Sequence, residues 1–146
     1  MKRNVLILSG ILAAALLLSA CSPASPQVPD LAGSSWKLVS YGPVDAQISA
    51  LEGVDTKLTF DQEGQVGGTF GCNSFGGDYS QDGNSITFGA IMSTLMACDE
   101  ARNSQEQAGF AVLQGTVSFF FLDGDSMSIH SADGGSMLLF SRQPAP

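Results

Sequence analysis

Basic side chains are scarce in this chain. Its 146 residues carry six Lys and Arg against 14 Asp and Glu, a formal net charge of −8. Nucleic-acid phosphates need Lys and Arg to neutralise them, so no nucleic-acid partner is expected. Histidine occurs once, at His130, and a zinc site needs four ligands, so no metal is expected. His130 alternates with Ile129 in a strand-like pattern that turns it to solvent or a loop. No two cysteines stand in a CxxC arrangement. Ser, His and Asp are all present, but no GxSxG nucleophile elbow accompanies them. Asp123-Gly124-Asp125 lacks the Glu that would close an EF-hand loop and reads as a hairpin turn. The carboxylates are scattered over turns and name no glycosidase pair. No cofactor and no catalytic residue are therefore assigned. A hydrolase using those scattered carboxylates, or a purely structural envelope protein, remains the alternative to a non-enzymatic binding domain.

Long apolar runs are also few. Val5 to Leu18 is uncharged but shorter than the ~20 residues that a spanning helix needs. It follows Lys2 and Arg3 and leads into Leu18-Ser19-Ala20-Cys21. A positive start, an apolar stretch and small residues before a cysteine make residues 1–20 a lipoprotein signal peptide, with lipid attached at Cys21. An uncleaved anchor or an ordinary secretory signal is the plainer alternative. Several acyl chains on Cys21 would hold the protein to a membrane stably, at ~0.8 kcal/mol per buried methylene. Cleavage removes two cations and no acid, so the mature chain is two units more negative than −8. Anionic headgroups would repel such a surface, which leaves attachment to the lipid. Ser22 stands where an Asp would retain a lipoprotein in the inner membrane. The expected location is the cell envelope: the periplasmic face of the outer membrane in a Gram-negative cell, the cytoplasmic membrane in a Gram-positive one.

Three cysteines is an odd count, but lipid on Cys21 leaves the pair Cys72 and Cys98. Export favours a disulfide between them, with a metal pair or reactive thiols as alternatives. Closing that loop should contribute ~3 to 4 kcal/mol in the chain-entropy model.

Glycine is plentiful, with 17 residues, and many Ser and Thr accompany it, which points to strands and tight turns. Residues 21–30, rich in Pro and Ser, read as a flexible tether before one domain at residues 31–142. Strands are expected at Ser35–Tyr41, with Trp36, Leu38 and Ser40 on one face, and at Lys57–Phe60, Gln65–Phe70 and Ser85–Phe88. Further strands should carry Val117, Phe119 and Phe121, then Met127 and Ile129, then Met137–Phe140. Val44–Val54 fits a short helix or a loop. Phe75 and Tyr79 lead into a turn at Gln81–Asn84. One helix is expected over Asp99–Gln114, stopped by Gly115. Gly109 weakens its interior, so packing on the sheet has to support it. Asn73 could line a ligand site or satisfy buried backbone groups. Phe119, Phe120 and Phe121 could pack in the core or line an apolar cleft.

Trp36 in an early strand, then Gly71-Cys72-Asn73, then Thr94-Leu95-Met96-Ala97-Cys98, resemble the META domain of bacterial HslJ-like lipoproteins. Glu106 and Leu113 stand where that family's helix has its Glu and Leu. The resemblance covers about residues 31 to 142. It implies an α+β fold, mainly antiparallel β, built as a small incomplete barrel with one packed helix. It implies no known catalytic activity, frequent lipid anchoring and a link to envelope stress. The function expected is thus an envelope lipoprotein that binds an apolar ligand or protein partner.

Overall fold

Apolar residues alternating with polar ones build strands here, and glycine-bearing turns reverse them. The computed structural model describes residues 28–144. In chain order the elements are β1 (Ser34–Pro43), β2 (Ile48–Ser49), β3 (Lys57–Phe60), β4 (Gln65–Thr69) and β5 (Ser74–Asp82). Then come β6 (Ser85–Phe88), β7 (Met92–Ser93), α1 (Glu100–Val112), β8 (Thr116–Phe121), β9 (Ser126–His130) and β10 (Ser136–Gln143). Hydrogen bonding runs β10-β9-β8-β6-β5-β4-β3-β1, and β10 pairs back onto β1. Eight antiparallel strands thus close a barrel. The two short strands stand beside it, β2 on β1 and β7 on β5.

Closure corrects the expected incomplete barrel. The cause is the length of the first and last strands, which pair from Ser35↔Gln143 to Pro43↔Ser136. A sheet that meets itself leaves no open edge along its main path. The register shifts between Leu38 and Ser40. One extra residue reverses which side chains face inward. Tyr41 is therefore buried and Ser40 only half-buried, whereas unbroken alternation put Ser40 inside. Phe75 and Tyr79, for which no strand was expected, lie on the nine-residue strand β5, which runs on into the expected turn.

The interior is apolar. Trp36, Leu58, Phe60, Ile86, Phe119, Ile129 and Phe140 are essentially sealed from solvent. Each such side chain contributes roughly 1.5 to 3 kcal/mol by leaving water. The helix α1 touches β1 and β10 on one side, while its Phe110 packs edge-on against Phe70 and Phe75 on the other. It lies across one end of the barrel. Leu31, fully buried, fills the other end, where its N–H donates to Gln81 Oε1 at 2.9 Å. Gly109 gains its meaning here. A Cβ at that position would stand 2.3 Å from Phe70 Cδ2, so the helix comes this close only because the side chain is missing.

α1 begins one residue later than expected. Asp99 is its N-cap, accepting from the Arg102 N–H at 3.0 Å. It ends at Val112 with Leu113 as C-cap, and Gly115, at φ +65°, follows two residues later.

Candidate functional site

The two cysteine motifs meet at the helix end of the barrel. Gly71-Cys72-Asn73 connects β4 to β5, and Thr94 to Cys98 connects β7 to α1. Cys72 and Cys98 are bonded, with an S–S distance of 2.04 Å and 26 residues between them. Beside the bond lies Asn73, buried. Its side-chain Oδ1 accepts from Met96 N–H at 2.7 Å and from the Thr94 hydroxyl at 2.9 Å. Its Nδ2 donates to Glu106 Oε1 at 2.8 Å, and its main-chain N–H donates to Glu106 Oε2. Thr94 is held again by β5: its N–H donates to Ser74 C=O at 3.0 Å and its Oγ1 accepts from Ser74 N–H at 3.2 Å. One turn before the barrel contact at Gly109, Gln105 donates to Phe70 C=O at 2.6 Å and accepts from Leu51 N–H at 2.8 Å. Asn73 thus satisfies backbone groups on one side and a buried carboxylate on the other.

This polar knot holds a loop whose side chains point into water. Leu95 is 96% exposed, Met92 75% and Met96 59%. The segment running into the loop alternates. Ile91 and Ser93 face a cavity of about 420 Å³ that Phe110, Leu113 and Gln114 complete. Ala90 and Met92 face another, of about 680 Å³, lined also by Val66, Gly76, Gly77 and Asp78. The glycine pair shapes this wall: a Cβ on Gly77 would come within 2.7 Å of Ala90 C=O. Residues 90–93 thus stand between two hollows, and the exposed apolar ridge of Met92, Leu95 and Met96 can meet apolar side chains from outside.

The phenylalanines of β8 are placed differently. Phe119 is sealed in the core, and Phe121 packs between Phe119 and Trp36 with ring centroids 5.6 and 5.8 Å away. Phe120 is exposed on the outer face, edge-on to His130 at 5.4 Å. None of the three lines the two hollows. His130 Nε2 lies 3.1 Å from Ser128 Oγ. Cys21 lies outside the described residues, as do residues 1–20 and most of the tether.

The carboxylates with displaced acidities sit in turns. Asp123 is held below the ordinary range by the N–H of Asp125 and then by Ser126. Asp133 is held low by the Ser131 hydroxyl and then by Gly135 N–H. Burial, with help from Asp30 and Asp61, raises the Tyr79 phenol. Among the described residues no group of three or more His, Cys, Asp or Glu could hold a metal ion.

Glu106, Gln105 and Leu95 carry more of this site than the sequence alone conveyed. Their signals were present: two adjacent polar residues in the helix's packed half, and an apolar Thr-Leu-Met-Ala run with no strand alternation.

A closed antiparallel barrel with a helix across one end, and a disulfide-pinned apolar loop beside it, defines a small antiparallel β-barrel domain. The META domain matches residues 29–144, and the chain belongs to that family. Solved structures share the fold. A protein from Burkholderia xenovorans, solved by NMR, is 24% identical over 84% of this chain and 97% of its own, with a TM-score of 0.65. A second NMR structure is 16% identical over 76% of this chain and 90% of its own, with a TM-score of 0.59. A DUF4847 family protein from Bacteroides vulgatus is 12% identical over 76% of this chain and 93% of its own, with a TM-score of 0.56. No curated protein matches the chain.

Proposed function

We propose that this chain is a non-enzymatic, lipid-anchored protein of the cell envelope that binds an apolar surface on a protein partner and supports envelope integrity under stress. Leu95 carries the reading. A leucine left in water forgoes roughly 1.5 to 3 kcal/mol of burial, yet this one is held out by Asn73 and a disulfide. Met92 and Met96 widen the ridge, and flexible thioethers adapt to varied apolar partners. The anchor rests on the lipobox at Leu18–Cys21, and the stress role on the family. The hydrolase alternative is weaker because Glu106, the buried carboxylate, has both oxygens engaged by Asn73.

Leu95→Asp and Met92→Asp test this in a strain whose own copy is deleted. Both side chains are exposed, so each variant should melt within about 1 kcal/mol of wild type. Both should fail to restore growth under envelope stress, while Phe120→Asp on the outer face restores it. Full complementation by Leu95→Asp and Met92→Asp would reject the ridge as the binding surface.

A further inference from the structure

Four cationic side chains lie within residues 28–144, and the two arginines are both engaged. Arg102 pairs with Asp99 at 3.3 Å. Arg142 lies over the Trp36 ring at 4.4 Å and donates from Nε to Gly124 C=O at 3.1 Å. Lys37 and Lys57 form no ion pair with any described residue, although acidic groups far outnumber cations.

Their placement makes this costly. β1 and β3 pair as Ser34↔Phe60, Ser35↔Thr59 and Trp36↔Leu58. One further step in the same register sets Lys37 opposite Lys57. Both are exposed and alternate with buried Trp36, Leu38 and Leu58, so both stand on the barrel's outer face. Like charges directly opposed on neighbouring strands repel. The flanking strands bring no relief, since Lys57 faces Thr69 on β4 and Lys37 faces Ser141 on β10. A cavity of about 250 Å³ opens beside the pair, lined by both lysines with Ser35, Asp55, Thr56 and Gln143. Thr56 brings a second anomaly. It is 3% exposed, and its hydroxyl is the buried side-chain oxygen with no hydrogen-bond partner among the described residues. Unpartnered buried hydroxyls are rare, and the residue that carries this one lines the same cavity.

We propose that this cavity is an oxyanion site for a phosphate or phosphate ester, with Lys37 and Lys57 as its charged ligands. Two ammonium groups match the charge of a phosphate dianion and turn a repulsive pair into a clamp. Ser35 and Gln143 offer further neutral donors at the rim. Asp55 on the same wall repels an anion and offsets part of the lysines' attraction, and a dianion gains twice what a monoanion gains from the positive charge that remains. The site shares no lining residue with the two hollows beside the Leu95 ridge and does not depend on that reading.

The test uses the full chain and inorganic phosphate as the probe, followed by amide NMR shifts at constant ionic strength. Phosphate should give saturable shifts centred on Ser35, Lys37, Lys57 and Gln143, and chloride should not. The double change Lys37→Gln with Lys57→Gln should weaken phosphate binding about tenfold or more, the scale of one charge-assisted hydrogen bond, while the Leu95 region keeps its spectrum. Glycerol phosphate and phosphatidate vesicles then separate a free phosphate ester from a lipid headgroup as the source. Saturable, lysine-dependent binding of either supports the site and names its source. Shifts that merely follow ionic strength, or equal binding by the double variant, would overturn it.

Discussion

Asn73 engages its main-chain N–H and both ends of its amide, and Glu106 answers two of those groups from the helix. Glu106→Ala would strand the buried main-chain donor and leave Nδ2 only the Cys72 sulfur, for a loss of about 2 to 4 kcal/mol in urea unfolding. Asn73→Asp should be worse than Asn73→Ala, because it sets a second carboxylate against Glu106 with no cation near. In a double-mutant cycle the two alanine changes should couple by about 1 to 3 kcal/mol. Strict additivity would mean that the residues act separately. Gly109 gives a second test at this scale. Alanine is intrinsically better in a helix by about 1 kcal/mol, yet a Cβ here meets the Phe70 ring at 2.3 to 2.7 Å. Gly109→Ala should therefore destabilise by about 1 to 3 kcal/mol. A gain in melting temperature would show that the helix can move away from Phe70 freely.

At the scale of elements, legibility followed periodicity. β3 and β6 have the bounds that their alternation predicts, because nothing interrupts Lys57–Phe60 or Ser85–Phe88. β5 was hidden because Gly76 and Gly77 carry no side chains to alternate, and Gly77 leaves room for Ala90 across the gap. The bulge in β1 was equally silent, since Ser40 and Tyr41 each suit either face. Cys72 and Cys98 were legible as a pair, but the Asn73–Glu106 knot links segments 33 residues apart that no local pattern connects. The disulfide joins the β4–β5 connection to the entry of α1. Either Cys72→Ala or Cys98→Ala should cost about 2 to 5 kcal/mol, and the double change about the same, since all three remove one cross-link. Additive losses would point to two independent buried thiols. The hairpin turns make a pH prediction. Asp123 and Asp133 have folded acidities below the usual value of 3.8, so their stabilising effect is present above it. It is lost as pH falls through the lower folded values. Asp123→Asn with Asp133→Asn keeps the turn acceptors and removes the charge. The double variant should be slightly less stable than wild type near neutrality and equal to it in strong acid, as read by melting temperature. A constant difference at all pH values would assign the effect to shape instead.

For the whole molecule, the arrangement of the two barrel ends governs how the domain presents itself. Leu31 enters at one end, and α1 with the Leu95 loop occupies the other. A lipid on Cys21 would therefore tether the end remote from the ridge, and an acidic surface would keep the barrel off anionic headgroups. Two measurements follow from this proposal. A fatty-acid analogue should label the wild type, and Cys21→Ala should abolish both label and membrane fractionation. An unlabelled, soluble wild type would reject the anchor. Met92 and Met96 then report which way the domain faces, because exposed thioethers oxidise readily to sulfoxides. A water-soluble oxidant should modify them at the same rate in the anchored protein and in the soluble Cys21→Ala form. Protection in the anchored form alone would instead lay the ridge against the bilayer, and its partner would then be lipid rather than protein.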